Sequence, residues 1–254
     1  DALPICGDSI KKMEWSDVSS ILAEGGTVIG TARSADFRTY EGRHRAAANL
    51  LEHGIDHLVV IGGDGSLSGT NEFRGEWAQH VAELAAEGVI SPETAAEHPA
   101  LIIVGLVGSI DNDLVGTDMT IGADTALHRI LDAIDQLTST AASHQRTFVV
   151  EVMGRHCGYL PLMAAVAGGA DYVFTPEDPA GPGWQDELAE HLRLGREAGR
   201  RESIVLVAEG AHDRDGNELS TQLIADTIQE RTGEDARVTI LGHVQRGGTP
   251  SAYD

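Results

Sequence analysis

Short, unbroken runs of Val, Ile and Leu recur along this chain. Each is closed by a polar, usually glycine-bearing, segment and followed by a stretch of helical character. The runs occupy residues 57–61, 101–107, 147–152, 172–175, 203–208 and 238–241, and a shorter one lies at 27–30. Apolar residues stand at consecutive rather than alternate positions. Such strands are expected to be covered on both faces, as in the parallel sheets of α/β proteins. Between them, Trp15, Val18, Ile21 and Leu22 fall on one helical face ended by Gly25-Gly26. Further helices are expected at 40–52, stopped at Gly54, at 68–87, 124–137, 159–167 and 221–231, and on the face formed by Trp184, Leu188, His191, Leu192 and Gly195. Ser91-Pro92-Glu93 reads as an N-cap followed by a first-turn proline.

Composition removes several classes of function. A chain of 254 residues that is 41% hydrophobic and 23% charged has material for a core, and its length suits one large or two small domains. Forty acidic residues against 18 basic ones give a net charge of −22. Such a surface repels nucleic-acid phosphates, so an anionic substrate needs a local cationic pocket. Cys6 and Cys157 are the only cysteines; two distant thiols build neither a disulfide framework nor a zinc cluster, and a reducing compartment is expected. The apolar runs are too short to span a bilayer and no signal peptide is visible. Lys11 and Lys12 are the only lysines, which excludes a P-loop or Schiff-base lysine deeper in the chain. Phosphate chemistry here must rest on arginine, backbone N–H groups and metal.

Five strand ends carry the chemistry: Gly62-Gly63-Asp64-Gly65-Ser66, Gly108-Ser109-Ile110-Asp111-Asn112-Asp113, Met153-Gly154-Arg155-His156-Cys157-Gly158, Glu209-Gly210, and Gly242-His243-Val244-Gln245-Arg246-Gly247-Gly248. Ligands of open α/β sheets bind at the carboxyl ends of strands. The first loop can bring backbone N–H groups to a phosphate at a helix N-terminus. It is equally compatible with a tight turn capped by Asp64, and it is not a Walker motif. Asp111 and Asp113 flank Asn112, so one carboxylate can face substrate while the other orients or links a metal; a solvated Asx-turn has the same pattern. Arg33, Arg38, Arg146, Arg155, Arg237 and Arg246 sit beside strand ends or glycine turns, where guanidinium groups can grip phosphate. One such arginine is usually a surface ion pair; six so placed are harder to dismiss. Cys157 has no evident activating base and reads as packing. His243 and Met153 suit either a sugar-phosphate pocket or a structural role.

The segments GGDGS, GSIDND, SHQR, EVMGRHCG, AEG and TILGHVQRGGTPSAYD, with GTARSADFR upstream, resemble the 6-phosphofructokinases in order and spacing from about Trp15 onward. The GSIDND wording resembles the catalytic N-terminal half of the long eukaryotic-type enzymes. The resemblance implies transfer of the γ-phosphoryl of ATP, with Mg2+, to the 1-hydroxyl of fructose 6-phosphate. Asp111 matches the general base, Asp64 the magnesium-linked acid and Arg155 the group that stabilises the transferring phosphoryl. Ser109 contacts the same region, with Asp113 as the accompanying acid. Arg146, Arg237, His243 and Arg246 match fructose 6-phosphate binders, Arg146 and Arg237 reaching in from a neighbouring subunit. Met153, Gly154 and Glu209 match residues around the sugar. Gly63, Gly65, Ser66 and Gly69, with Arg33 and Arg38, match the ATP side. Small residues at Gly65 and Gly108 favour ATP over diphosphate.

The implied fold is α/β: two α/β sandwich domains with mainly parallel sheets and the active site in the cleft between them. An ATP-binding domain is expected at 1–122 plus 245–254, and a fructose 6-phosphate domain at 123–244. A cytoplasmic homo-oligomer, a tetramer in the family, with small-molecule effectors is implied. The first 12 residues lack the family's opening strand and phosphate loop, and family members continue past SAYD. The chain is therefore expected to be a fragment, weakly active or inactive alone. A diphosphate-dependent enzyme, a non-catalytic regulatory half and a lipid or NAD kinase relative are the alternatives; the last shares only GGDG.

Overall fold

The computed structural model describes residues 3–254. They form two compact units that meet in the chain at 108/109, the second being Ser109–Asp254.

In the first unit, α1 (Leu3–Cys6) and α2 (Trp15–Val18) are single turns. They precede α3 (Tyr40–Glu52), β1 (His57–Gly62), α4 (Asp64–Ala86), α5 (Pro92–Glu97) and β2 (Ile102–Val107). Local chemistry sets the ends: the Thr39 hydroxyl accepts the Gly42 N–H, and the Ser91 hydroxyl accepts the Thr94 N–H ahead of Pro92. Strands β1 and β2 pair in parallel. Ala46, Ala47 and Leu50 of α3 close over Phe73, Trp77, Val81 and Leu84 of α4, with Leu58 and Ile103 packed against this core. Each large side chain buried there contributes about 1.5–3 kcal/mol of transfer free energy.

The second unit has the order α6 (Ala123–His144), β3 (Thr147–Val152), α7 (Tyr159–Gly168), β4 (Tyr172–Phe174), α8 (Trp184–Glu197), β5 (Ser203–Ala208), α9 (Thr221–Thr232) and β6 (Ala236–Ile240). Its sheet runs β4-β5-β3-β6, with every pairing parallel. Val149, Val205 and Val207 point to α8 and α9, where Leu188, Leu192, Ile224 and Ile228 receive them. Val150, Val152, Ile204 and Leu206 point the other way, to Ile130 and Ile134 of α6 and Leu160 of α7. All six residues of β5 are buried, which is why their sequence does not alternate.

Three expectations need correction. The helix drawn through Trp15, Val18, Ile21 and Leu22 is a single turn, and the segment 27–30 forms turns rather than a strand. Trp15, Leu22 and Ile29 are highly exposed, so no apolar face is buried to stabilise regular structure there. Strands β1 and β2 are covered on one face only. Val59, Ile61, Ile102, Val104 and Leu106 form an exposed stripe opposite the α3–α4 layer.

The contacts divide the chain at 108/109, whereas sequence placed the boundary at 122/123 and returned 245–254 to the first domain. The carboxylate of Asp254 accepts the N–H groups of Gly122 (2.8 Å) and Thr125 (2.7 Å), capping the start of α6 from 129 or more residues away. Arg129 of α6 donates to the carbonyls of Gly247 and Thr249. These bonds group the tail with the second unit.

Candidate active site

Because the strands of the second unit are parallel, the loops after β3, β5 and β6 emerge at one rim. The loop after β3 is held in a demanding shape. Arg155 lies in the left-handed region at φ 52°, and Gly154 at φ 150°. A Cβ on Gly154 would lie 2.4 Å from the Cys157 carbonyl oxygen. The Arg155 N–H donates to Glu209 Oε2 (3.2 Å), tying this loop to the one after β5. Close approach is also forced at Gly210, where a Cβ would sit 2.2 Å from the Arg155 carbonyl oxygen.

Gln245, buried on the loop after β6, accepts the Met153 N–H at Oε1 (3.2 Å) and donates its amide to the Gly242 carbonyl (2.9 Å). It joins the third loop to the first. Sequence reading passed over Gln245. Its signal was a single amide inside the His243–Arg246 stretch, and only the fold shows that it is buried.

The segment 109–113 reaches the same rim. The Asp111 N–H donates to Ser109 Oγ, and Asn112, at φ 53°, accepts the Thr120 N–H with its side-chain oxygen (2.9 Å). Asn112 is a second residue overlooked in sequence: its short amide both tolerates the left-handed turn and locks it. The Cys157 thiol lies 3.8 Å from the Asn112 carbonyl and is pushed up in pKa, chiefly by burial, which fits the packing role expected of it.

Asp111 itself is buried, and its Oδ1 has no hydrogen-bond partner. Burial raises its pKa, as does the neighbouring Asp113; Arg246 and then Arg155 oppose the rise, while Glu209 adds to it. A desolvated carboxylate oxygen left unsatisfied costs free energy unless a donor arrives. Here the charges of two guanidinium groups, both exposed to solvent, act on it.

Ser109, Asp111, Asp113, Met153, Gly154, Arg155, Glu209, His243 and Arg246 thus belong to one rim or the segment that meets it. Arg146 and Arg237 do not. Arg146 precedes β3 and Arg237 is the second residue of β6, at the amino ends of the strands. A β3 strand of six residues separates the ends by about 20 Å. Both arginines pair with one carboxylate, Asp235, at 2.7 Å and 3.1 Å, which leaves net positive charge there.

In the first unit, Gly63 precedes α4, and Asp64 opens it as an exposed carboxylate that accepts from Ser68 Oγ (3.3 Å). The Gly63 carbonyl accepts the N–H groups of Ser66 and Leu67, which shapes the turn. A Cβ added at Gly65 would meet no protein atom within 4 Å. A Cβ added at Gly69 would lie 4.0 Å from the ring of Phe37, the neighbour of exposed Arg38, and Arg33 lies exposed on the preceding coil. Asp64 is an oxygen donor open to solvent, the ligand type that suits Mg2+.

A parallel α/β sheet whose carboxyl rim gathers acids, arginines and close-packed glycines places these groups where open α/β sheets bind their ligands. The family signature described as "Phosphofructokinase" matches residues 4–254, and the chain belongs to that family. It is 57% identical over 248 residues to human "ATP-dependent 6-phosphofructokinase, liver type", covering 98% of this chain and 32% of that protein. The phosphofructokinase structure from Saccharomyces cerevisiae superposes with a TM-score of 0.96 at 54% identity, over 99% of this chain and 34% of the yeast chain. The Pichia pastoris phosphofructokinase in the T-state gives 0.90 at 48% identity, over 99% and 26%. The chain therefore spans about a third of the length of the curated relatives it matches.

Proposed function

We propose that this chain forms the catalytic part of an ATP-dependent 6-phosphofructokinase, converting fructose 6-phosphate and ATP to fructose 1,6-bisphosphate and ADP. The observation that carries this is the buried, unpartnered Asp111 Oδ1, on which the charges of Arg246 and Arg155 act. The 1-hydroxyl of the sugar donates its hydrogen bond to that oxygen. As the hydroxyl oxygen bonds to the γ-phosphorus and the bond to the β-phosphate oxygen breaks, Asp111 takes the proton. A raised pKa brings the acceptor closer to working pH and makes it a better base. Arg155 neutralises charge on the transferring group, with Ser109 beside it and Asp113 tuning Asp111. Arg246 and His243 hold the 6-phosphate; Met153, Gly154 and Glu209 border the sugar.

The 62–66 turn and Gly69, with Arg33 and Arg38, take the nucleotide phosphates. Asp64 would hold the Mg2+ that goes with ATP; bound there, the ion supplies charge neutralisation. Gly65 supports a nucleotide donor, since no protein atom demands a glycine at that point. The first unit is thus the nucleotide side and the second the sugar-phosphate side.

Arg146 and Arg237, at the opposite end of the sheet, serve the sugar phosphate of a second copy. The resemblance supports a cytoplasmic homo-oligomer under small-molecule control.

The test is fructose 1,6-bisphosphate formation by the full-length gene product with ATP or diphosphate, for wild type and Asp111→Asn. ATP-dependent turnover should fall about 10²–10⁴-fold in a variant that stays folded. Turnover with diphosphate alone overturns the donor assignment. Saturable fructose 6-phosphate binding without turnover makes the protein a regulatory half.

A further inference from the structure

Far along α4 from the 62–66 turn, three side chains of the first unit aim their ligating atoms at one point. His44 comes from α3; His80 and Glu83 come from one turn of α4. His44 Nδ1 lies 3.1 Å from His80 Nδ1 and 3.7 Å from Glu83 Oε2, and one ligand atom from each of the three side chains falls within 4.8 Å of the other two. His80 is fully buried, while His44 is 19% and Glu83 39% exposed, which gives solvent a way in.

Neighbouring groups fix which nitrogens carry protons. Nε2 of His80 faces Glu76 Oε2 at 3.3 Å. Glu76 is in turn gripped by Arg43, through Nε at 2.6 Å and Nη2 at 2.8 Å. A carboxylate there favours the proton on Nε2 and leaves Nδ1 as a lone pair directed at His44, the arrangement by which carboxylates orient metal-ligating histidines. Glu87 Oε2 stands 3.6 Å from Nε2 of His44 and favours the same tautomer electrostatically. Glu83 is fixed as well: Tyr40 donates its hydroxyl to Oε2 at 2.7 Å, and Gln79 donates to Oε1 at 2.8 Å. Two imidazole lone pairs this close repel unless a proton or a cation lies between them.

The spacing fits a cation. Tetrahedral ligation at about 2.0–2.1 Å sets neighbouring ligand atoms about 3.3 Å apart, and the 3.1 and 3.7 Å separations bracket that edge. Imidazole nitrogen selects Zn2+ over the hard cations Mg2+ and Ca2+. We propose that His44, His80 and Glu83 bind one Zn2+ ion, with water in the fourth position, and that the ion cross-links α3 to α4. The site is separate from Asp64, which lies 16 residues, about 24 Å, along α4 from His80.

The test uses the purified, metal-stripped full chain. Titration with Co2+, the spectroscopic stand-in for Zn2+, should give the visible bands of four-coordinate cobalt, saturating at one equivalent and displaced by Zn2+. His80 is fully buried and its removal endangers folding, so the partly exposed His44 carries the mutational test. Both His44→Ala and Glu83→Gln should weaken Zn2+ binding about 100-fold or more, with circular dichroism unchanged. Saturating Zn2+ should raise the melting temperature of the wild type but not of His44→Ala. Asp64→Ala should leave Zn2+ affinity as it was. Absence of a four-coordinate cobalt spectrum overturns the proposal. So does Zn2+ affinity that survives both His44→Ala and Glu83→Gln, or that is lost in Asp64→Ala.

Discussion

The two parallel sheets are written in the same residues and meet different surroundings. Val205 in β5 is fully buried between two helical layers, while Val59 in β1 is 68% exposed. Leu206 is fully buried in the cluster it shares with α6 and α7, whereas Leu106, an equally apolar residue of β2, stands in the exposed stripe. Strand identity in both cases comes from β-branched and aliphatic residues that fit a pleated surface. Burial comes from the number of helical layers that reach the sheet, two in one unit and one in the other. The rims differ in the same sense. Loops of the second unit are cross-tied by Glu209 and Gln245 and crowd against Gly154 and Gly210, whereas the 62–66 turn crowds Gly62 against Ser66 but leaves open space at Gly65.

The largest effect expected from this contrast is on stability. Leu206→Ala should cost about 2–5 kcal/mol, because it opens a cavity between packed layers, while Leu106→Ala should cost less than about 1 kcal/mol. Urea unfolding of both variants measures this, and equal losses would break the distinction between a covered and a half-covered sheet.

Next come the glycines. Gly210→Ala drives a methyl into the Arg155 carbonyl and should destabilise the protein by about 1–3 kcal/mol. Gly65→Ala should leave the melting temperature nearly unchanged yet raise KM for ATP several-fold, since what it fills is ligand space. A destabilised Gly65→Ala with normal KM would show that the turn needs its glycine for folding.

Smaller effects belong to the titration of Asp111. Its folded pKa is raised, above all by burial, so stability is greatest while it is protonated and falls as pH rises through the raised value. Asp111→Asn should therefore melt no lower than wild type at neutral pH, even though activity is lost. The acid limb of kcat/KM should lie above the ordinary aspartate range. Asp113→Asn removes a negative neighbour, so it should move that limb to lower pH by less than about one unit. A limb that stays in place would mean that another group limits the rate.

Much of this molecule was legible before the fold was known. The bounds of α3, β3 and β5 follow from apolar runs and their stops. Ser91 and Pro92 announced the start of α5, and the polar segments after the apolar runs announced where the strands end. Less was legible where partners lie far off in sequence. Nothing local says that Asp254 caps α6, that Gln245 bridges two rim loops, or that Arg146 and Arg237 share Asp235 at the opposite end of the sheet. The failed helix around Trp15 and the failed strand at 27–30 have the same cause: periodicity marks a face fit for burial, but a partner surface must exist to bury it.

What the sequence settled alone is the set of local preferences: apolar runs that form strands, caps that start helices, glycines that permit close turns, and the acids and arginines placed after them. These depend on residues a few positions apart, whose energetics are fixed by the chain itself. Tertiary structure decided which faces are covered, which carboxylate is stripped of water, and which histidines meet across two helices. Those outcomes depend on surroundings assembled from distant segments, and desolvation and packing are properties of surroundings rather than of residue types.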